Sequence, residues 1–151
     1  MSNQQIKVGM LILMEHDLEA AVEFYKKLGF QLKFHIKQKW AEFSIGSVKI
    51  GLCPTSQEPF DKHTGIVLEV TDIRKLQEDI ENKGLVFLTE IKESVHGLMT
   101  GIKDPNGNIL DLYQPTPEKV KEFVKDVMVD KQCCKNDSKD CSCSPDKTGC
   151  A

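Results

Sequence analysis

Hydrophobic and polar positions along this chain run through one programme twice. A β-rich apolar run predicts a strand over 7–14, and Asp17 then caps a helix predicted to reach Leu28, with Ala21, Phe24, Tyr25 and Leu28 as its apolar stripe. Gly29 stops that helix, and strands are predicted over 31–36, 40–45 and 48–53, the last two joined at Gly46-Ser47. The second copy repeats the order: a strand over 63–70, a helix over 72–83 with Ile73, Leu76 and Ile80 inward, then strands over 85–89, 98–103 and 108–113. From Asp17 to Gly29 and from Asp72 to Gly84 the interval is twelve residues in both copies. Residues 6–53 and 63–113 therefore read as one strand-helix-three-strand unit used twice, and such a repeat governs the whole architecture.

Asp104-Pro105-Asn106-Gly107 is a strong turn signal, because proline presets φ and Asn-Gly tolerates the left-handed region; it predicts a hairpin between the last two strands. The polar stretch 54–62, with Pro54 and Pro59, reads as a linker between copies, since neither half buries enough apolar area alone. Thr116 and Pro117 open a third predicted helix over 116–129, with Val120, Phe123, Val124, Val127 and Met128 on one face. That face needs a partner, its own domain or a second subunit. Residues 1–130 thus form one expected domain. Over 131–151 Gly, Ser, Asp, Asn and Lys replace branched and aromatic residues, so a flexible tail is expected there.

With 151 residues, 40% of them hydrophobic, the chain suits a single core, and a net charge of −3 with Lys and Glu interspersed offers no basic face to nucleic acid. The N-terminus lacks the features of a signal peptide, and no apolar run is long enough to span a bilayer, which leads us to expect a cytoplasmic protein without membrane partners. Five of the six cysteines fall in the last 19 residues, so disulfides are not expected to staple the core. Cys133, Cys134, Cys141, Cys143 and Cys150 are spaced unlike the paired knuckles of a zinc ribbon. Thiolates this dense suit a soft ion such as Zn, Cu, Cd or As; otherwise the tail is a set of redox-labile thiols.

The helix opening Asp-Leu-Glu-Ala-Ala-Val-Glu-Phe-Tyr-Lys-Lys-Leu-Gly-Phe (17–30) and the hairpin Asp-Pro-Asn-Gly-Asn-Ile-Leu-Asp-Leu (104–112), set in two consecutive βαβββ units, closely resemble the vicinal oxygen chelate superfamily. This superfamily contains glyoxalase I, bleomycin-resistance proteins, fosfomycin-modifying transferases and extradiol dioxygenases. The resemblance covers about residues 6–114. It implies an α+β fold in which two tandem βαβββ modules curl a mixed sheet into a cup, with the helices outside. It also implies a homodimer and, in the family's catalysts, a divalent metal held by His, Gln or Glu from the first and last strand of each unit. Carried over by position, those ligand sites fall on Met10 (or Gly9), Gly51, Gly65 and Asp111. Asp111 alone is a usual ligand, and a hard cation wants several oxygen or nitrogen donors. No metal is therefore expected in the cup.

Strand alternation tells which side chains share a face with those positions. Val8, Met10, Ile12 and Met14 line it from the first strand, Cys53 from the fourth, His63, Val67 and Glu69 from the fifth, and Ile109, Asp111 and Tyr113 from the last. His96, before Gly97, lies in a loop that family members close over ligands. Glycines at 51 and 65 are expected to leave an apolar hollow with a few polar groups, the ordinary make-up of a small-molecule pocket. Met10 and Met14 read as adaptable lining, Cys53 as an inert thiol, Asp111 as the candidate general base, and His16 and His35 as surface residues. A metal site shifted onto His63 with Asp111, Glu69 or Cys53 is the alternative for that corner. Three functions stay open at this point: a metal-free binder sequestering a hydrophobic or aromatic ligand, a metal-dependent lyase, isomerase or dioxygenase, and a soft-metal or metalloid handling protein working through its tail.

Overall fold

A computed structural model describes residues 5–122 together with 124 and 125. Module one runs β1 (Leu11–Glu15), α1 (Leu18–Leu28), β2 (Gln31–Ile36), β3 (Trp40–Ile45) and β4 (Val48–Pro54). Module two runs β5 (Lys62–Glu69), α2 (Ile73–Glu81), β6 (Lys92–Glu93), β7 (Gly97–Lys103) and β8 (Asn108–Pro115). Each module makes its own four-stranded sheet, in the orders β1-β4-β3-β2 and β5-β8-β7-β6, so the repeat seen in the sequence is a repeat of topology. The first strand of each module pairs in parallel with its last, and the other pairings are antiparallel.

Local chemistry sets the helices. Asp17 is the N-cap of α1, its side chain accepting the Ala20 N–H at 3.0 Å, and Asp72 does the same for Lys75 N–H at 3.1 Å in α2. Gly29 ends α1 in the left-handed region at φ 102°, and Gly84, past the end of α2, sits there too at φ 83°. From α1, Leu18, Ala21, Val22, Phe24, Tyr25 and Leu28 enter a core that also takes Ala41, Phe43, Ile50 and Leu52 from module one and Ile73, Ile80, Ile102, Leu110 and Leu112 from module two. Full burial of each large aliphatic or aromatic side chain stabilises the fold by ~1.5–3 kcal/mol.

Two predicted strands come out differently. The first is shorter, beginning at Leu11 rather than residue 7, because its sheet partner β4 reaches it only from the Leu11–Ile50 pair onward. Strand structure needs a ladder partner, and residues 7–10 have none in the sheet. Residues 85–89 form no strand. They follow β7 through the Leu88 N–H donating to the Gly101 carbonyl at 2.7 Å and the Thr100 hydroxyl donating to the Thr89 carbonyl at 2.7 Å, and the ladder itself is confined to Lys92–Met99 and Glu93–Leu98. The curled two-module architecture that the resemblance implies is present as two four-stranded mixed sheets, with β1 and β5 at their edges. Of the C-terminal helix expected over 116–129, residues 117–122, 124 and 125 are helical; the rest of it and the cysteine-rich tail lie outside the described residues. Among the described residues no helix is long and apolar enough to cross a membrane.

The hairpin between β7 and β8 joins the modules. Gly107 N–H bonds the Asp104 carbonyl at 3.1 Å and Asp104 N–H bonds the Asn108 carbonyl at 3.0 Å, closing the turn, with Gly107 at φ 84°. Asn106 keeps an ordinary φ and uses its side chain instead: its amide nitrogen donates to the Met14 carbonyl at 2.7 Å and its oxygen accepts the His16 N–H at 3.0 Å. That amide stands in for a neighbouring strand along the free edge of β1. Beneath it, Asp104 accepts the Tyr25 hydroxyl at 2.7 Å, the Asn108 side chain at 2.8 Å, and the backbone N–H groups of Asn106 and Asn108 at 2.9 Å each. Burial and then the Asp104 charge push the Tyr25 hydroxyl far up, so it remains a donor.

Candidate functional site

Register divides each sheet into a core face and an open face. In module one, Leu11 and Leu13 pair with Ile50 and Leu52 on the core face, while Ile12 and Met14 pair with Gly51 and Cys53 on the other. Trp40 and Glu42 from β3 and Phe34 and Ile36 from β2 share that open face. In module two, Val67, Asp111 and Gly101 line up across three strands, and Glu69, Tyr113 and Met99 form the next row. His63 pairs with Ile109, and four residues of β5 then span two of β8, with Gly65 in the bulge at φ 74°. The predicted partition of side chains between faces holds for every candidate residue within a strand.

The expected hollow at Gly51 does not exist. A Cβ built at Gly51 would strike the Cη2 and Cζ2 atoms of Trp40 and lie 2.9 Å from the Met10 sulfur, so the indole lies across the bare backbone beside the thioether. Glycine removes a side chain here and a neighbour's ring takes the space. Trp40 is not among the residues that strand alternation from the carried-over ligand positions points to. Its antiparallel register, with Glu42 opposite Gly51, was the signal that a β3 side chain overhangs that position. Gly65 differs, for nothing lies within 4 Å of a Cβ built there; its role is the left-handed backbone of the bulge.

Much of this surface is open: Ile12 and Val67 are each 54% exposed, Phe34 46% and Met14 42%. Cys53, Asp111 and Tyr113 are half-buried, whereas His63, Glu69 and His96 are exposed. The Tyr113 hydroxyl donates to the His96 carbonyl at 3.0 Å, which ties β8 to the loop carrying His96. A shallow depression of about 440 Å³ adjoins the open face at Glu69 and is otherwise lined by Val70, Thr71, Asp72, Lys75, Leu76 and Asp79, away from the other candidate residues. His16 is exposed at the surface as expected, but His35 is not: it lies half-buried on the core side, with Nε2 3.1 Å from Glu19. Glu19 is held below the usual carboxylate range first by the Gln38 N–H and also by His35.

A family model described as the Glyoxalase/Bleomycin resistance protein/Dioxygenase superfamily matches residues 7–112. The chain belongs to this superfamily. It is 26% identical over 115 residues to an uncharacterized protein of Mycolicibacterium smegmatis, covering 76% of this chain and 97% of that one. In fold it is similar to the fosfomycin resistance protein FosX of Listeria monocytogenes, with TM-score 0.63 at 15% identity over 75% of this chain and 94% of the other. It is similar also to the bleomycin-binding protein of Streptomyces verticillus, solved with copper(II)-bleomycin, with TM-score 0.57 at 21% identity over 75% and 99%. At these identities the likeness to solved structures is one of fold.

The superfamily's catalysts imply a metal, and the residues of this chain do not fit one. The positions onto which the resemblance carries the ligands are Met10 (or Gly9), Gly51, Gly65 and Asp111, and an indole covers Gly51. Among the described residues no group of three or more His, Cys, Asp or Glu is placed to hold an ion, so the alternative site on His63 is not assembled either. If the indole occupies the space that Gly51 vacates, Gly51→Ala lifts it away. We expect the fluorescence of Trp40, the single tryptophan, to shift to the red, and stability in urea to fall by ~1–3 kcal/mol from overpacking.

Proposed function

We propose that this chain is a small-molecule binding protein of the bleomycin-resistance type, which sequesters a hydrophobic or aromatic ligand on its open face without a resident metal ion. The observation that carries this reading is the Trp40 indole laid over Gly51 beside Met10, in the place where a catalyst of this superfamily would keep a ligating side chain. Around it stand Ile12, Met14, Phe34 and Ile36, which offer dispersion and stacking, and the carboxylate of Glu42, which offers a charge to a basic group. Val67, Glu69, Asp111 and Tyr113 supply the corresponding face of module two, with Cys53 and His63 at its margins and His96 on the adjoining loop. Asp111 contributes charge and hydrogen bonding in this reading; as a general base it would need a substrate within reach. The structural likeness to a bleomycin-binding protein supports a ligand of this kind, since that fold accommodates one.

Binding is tested with planar aromatic compounds titrated against the full-length protein. We expect saturable quenching of Trp40 that survives treatment with a chelator, and a loss of about 30-fold in affinity for Trp40→Ala, equivalent to ~2 kcal/mol. Binding that needs an added divalent ion, or turnover of the compound, would return the chain to the enzyme class.

The homodimer belongs to the same proposal. Ile6 and Val8 are 83% and 77% exposed beside the edge strand β1, and a second copy covering them would also remove an unpaired strand edge from water. Sedimentation equilibrium should then give twice the chain mass at micromolar concentration; a monomer there sinks this part. The tail is proposed as an accessory soft-metal site, supported by the spacing of Cys133, Cys134, Cys141, Cys143 and Cys150. Reduced full-length protein should bind Cd(II) tightly while protein truncated after Asp130 does not, and equal binding by both would remove the tail from the account.

A further inference from the structure

Glu15 is an unusual residue to find at the end of a core strand. It is wholly buried, at 0% exposure, on the face of β1 that carries Leu13, and it lies between the two modules. Its Oε1 accepts the Asn108 side-chain amide at 3.1 Å, whereas its Oε2 is buried and receives no donor. The same Asn108 nitrogen donates to Oδ2 of Asp104 at 2.8 Å, so one amide bridges the Glu15 and Asp104 carboxyl groups. Two carboxyl groups therefore meet in a site closed to water, and they are supplied unequally.

Asp104 collects four donors: the Tyr25 hydroxyl, the Asn108 side chain and the two backbone N–H groups of Asn106 and Asn108. That set fills the acceptor positions of Asp104 with donors. Glu15 has one donor for two oxygens, and ionising it as well would leave a second charge in the same dry space with one oxygen unsatisfied. Protonated, the Glu15 carboxyl becomes a donor itself, and its orphan oxygen no longer carries an unsatisfied charge.

We propose that Glu15 and Asp104 share one proton, and that this proton latches module one to module two. The proton resides on Glu15 and is donated to the Asp104 carboxylate; no other exchange is involved. The groups that face it are Asp104 from the hairpin, Asn108 from β8, Tyr25 from α1 and Lys62 from β5. Burial, then the hydrogen bond and charge of Asp104, push the Glu15 carboxyl up to about 10, while the Asn108 donor and the Lys62 charge act in the opposite direction.

The sign of the linkage follows. The folded state keeps a proton that the unfolded chain releases above its ordinary value of 4.5, so this stabilisation is full below that pH and declines as pH rises toward about 10. Losing the proton sets two carboxylates against each other under the Asn106 amide that holds Met14 and His16, which loosens the seam between the modules.

Urea unfolding of the full-length protein between about pH 6 and about pH 9 tests the latch, with Glu15→Gln as the comparison. Glutamine keeps an acceptor for Asn108 and a donor for Asp104 with no titratable proton. We expect the folding constant of the wild type to fall about tenfold per pH unit relative to that of Glu15→Gln. Parallel pH dependences in the two proteins overturn the proposal. Should the variant not fold, the carboxyl carbon of Glu15 is followed by NMR in the wild type. A signal without inflection up to about pH 8 sustains the shared proton, and an inflection in the ordinary carboxylate range overturns it.

Discussion

The structure depends on a buried carboxylate. Asp104 opens a hairpin in module two and accepts a hydroxyl from the first helix of module one, so the turn and the packing of the modules are fixed by the same four hydrogen bonds. Each bond to an ionised acceptor is worth more than a neutral one, and none can be lost to water because Asp104 is buried. Asn106 and Asn108 extend the arrangement to the end of β1 through Met14, His16 and Glu15. Gly107 is required because a Cβ there would collide with the Phe60 carbonyl of the connector, besides the strain of its φ. The hairpin is thus a joint as well as a turn.

What this joint positions is a pair of sheets that contribute to one core and whose other faces stay open. In module one the open face is organised by a substitution of space. Gly51 gives up its side chain, Trp40 from the neighbouring strand lies over it, and Met10 closes the edge. A polarisable surface of indole and thioether therefore covers the bare backbone of Gly51. The superfamily's fold is retained, and among the described residues no group of three or more His, Cys, Asp or Glu is placed to hold an ion, in a fold that serves many functions through its site residues.

Most of the architecture was legible because it is written in short-range chemistry. The capping aspartates Asp17 and Asp72, the glycines Gly29 and Gly84 and the Asp-Pro-Asn-Gly turn each act within a few residues, and each appears where the sequence places it. The division of Ile12, Met14, Val67, Asp111 and Tyr113 onto open faces was legible too, since strand alternation has a period of two whatever the partner. The extent of β1 and the state of residues 85–89 were not legible, because a strand exists where another strand accepts its hydrogen bonds. Asn106 was read as a turn residue suited to the left-handed region, and its real work, pairing with β1 ninety positions away, has no local signature.

By itself the sequence determined the duplicated βαβββ order, the helix ends, the hairpin and the face on which each strand residue lies, all of which follow from backbone sterics and side-chain periodicity. The tertiary structure alone decided that Trp40 fills the space over Gly51 and that Glu15 and Asp104, both buried, share the Asn108 amide. Those outcomes depend on distances between residues far apart along the chain, where close packing and the loss of water set the energies and local pattern carries no record of them.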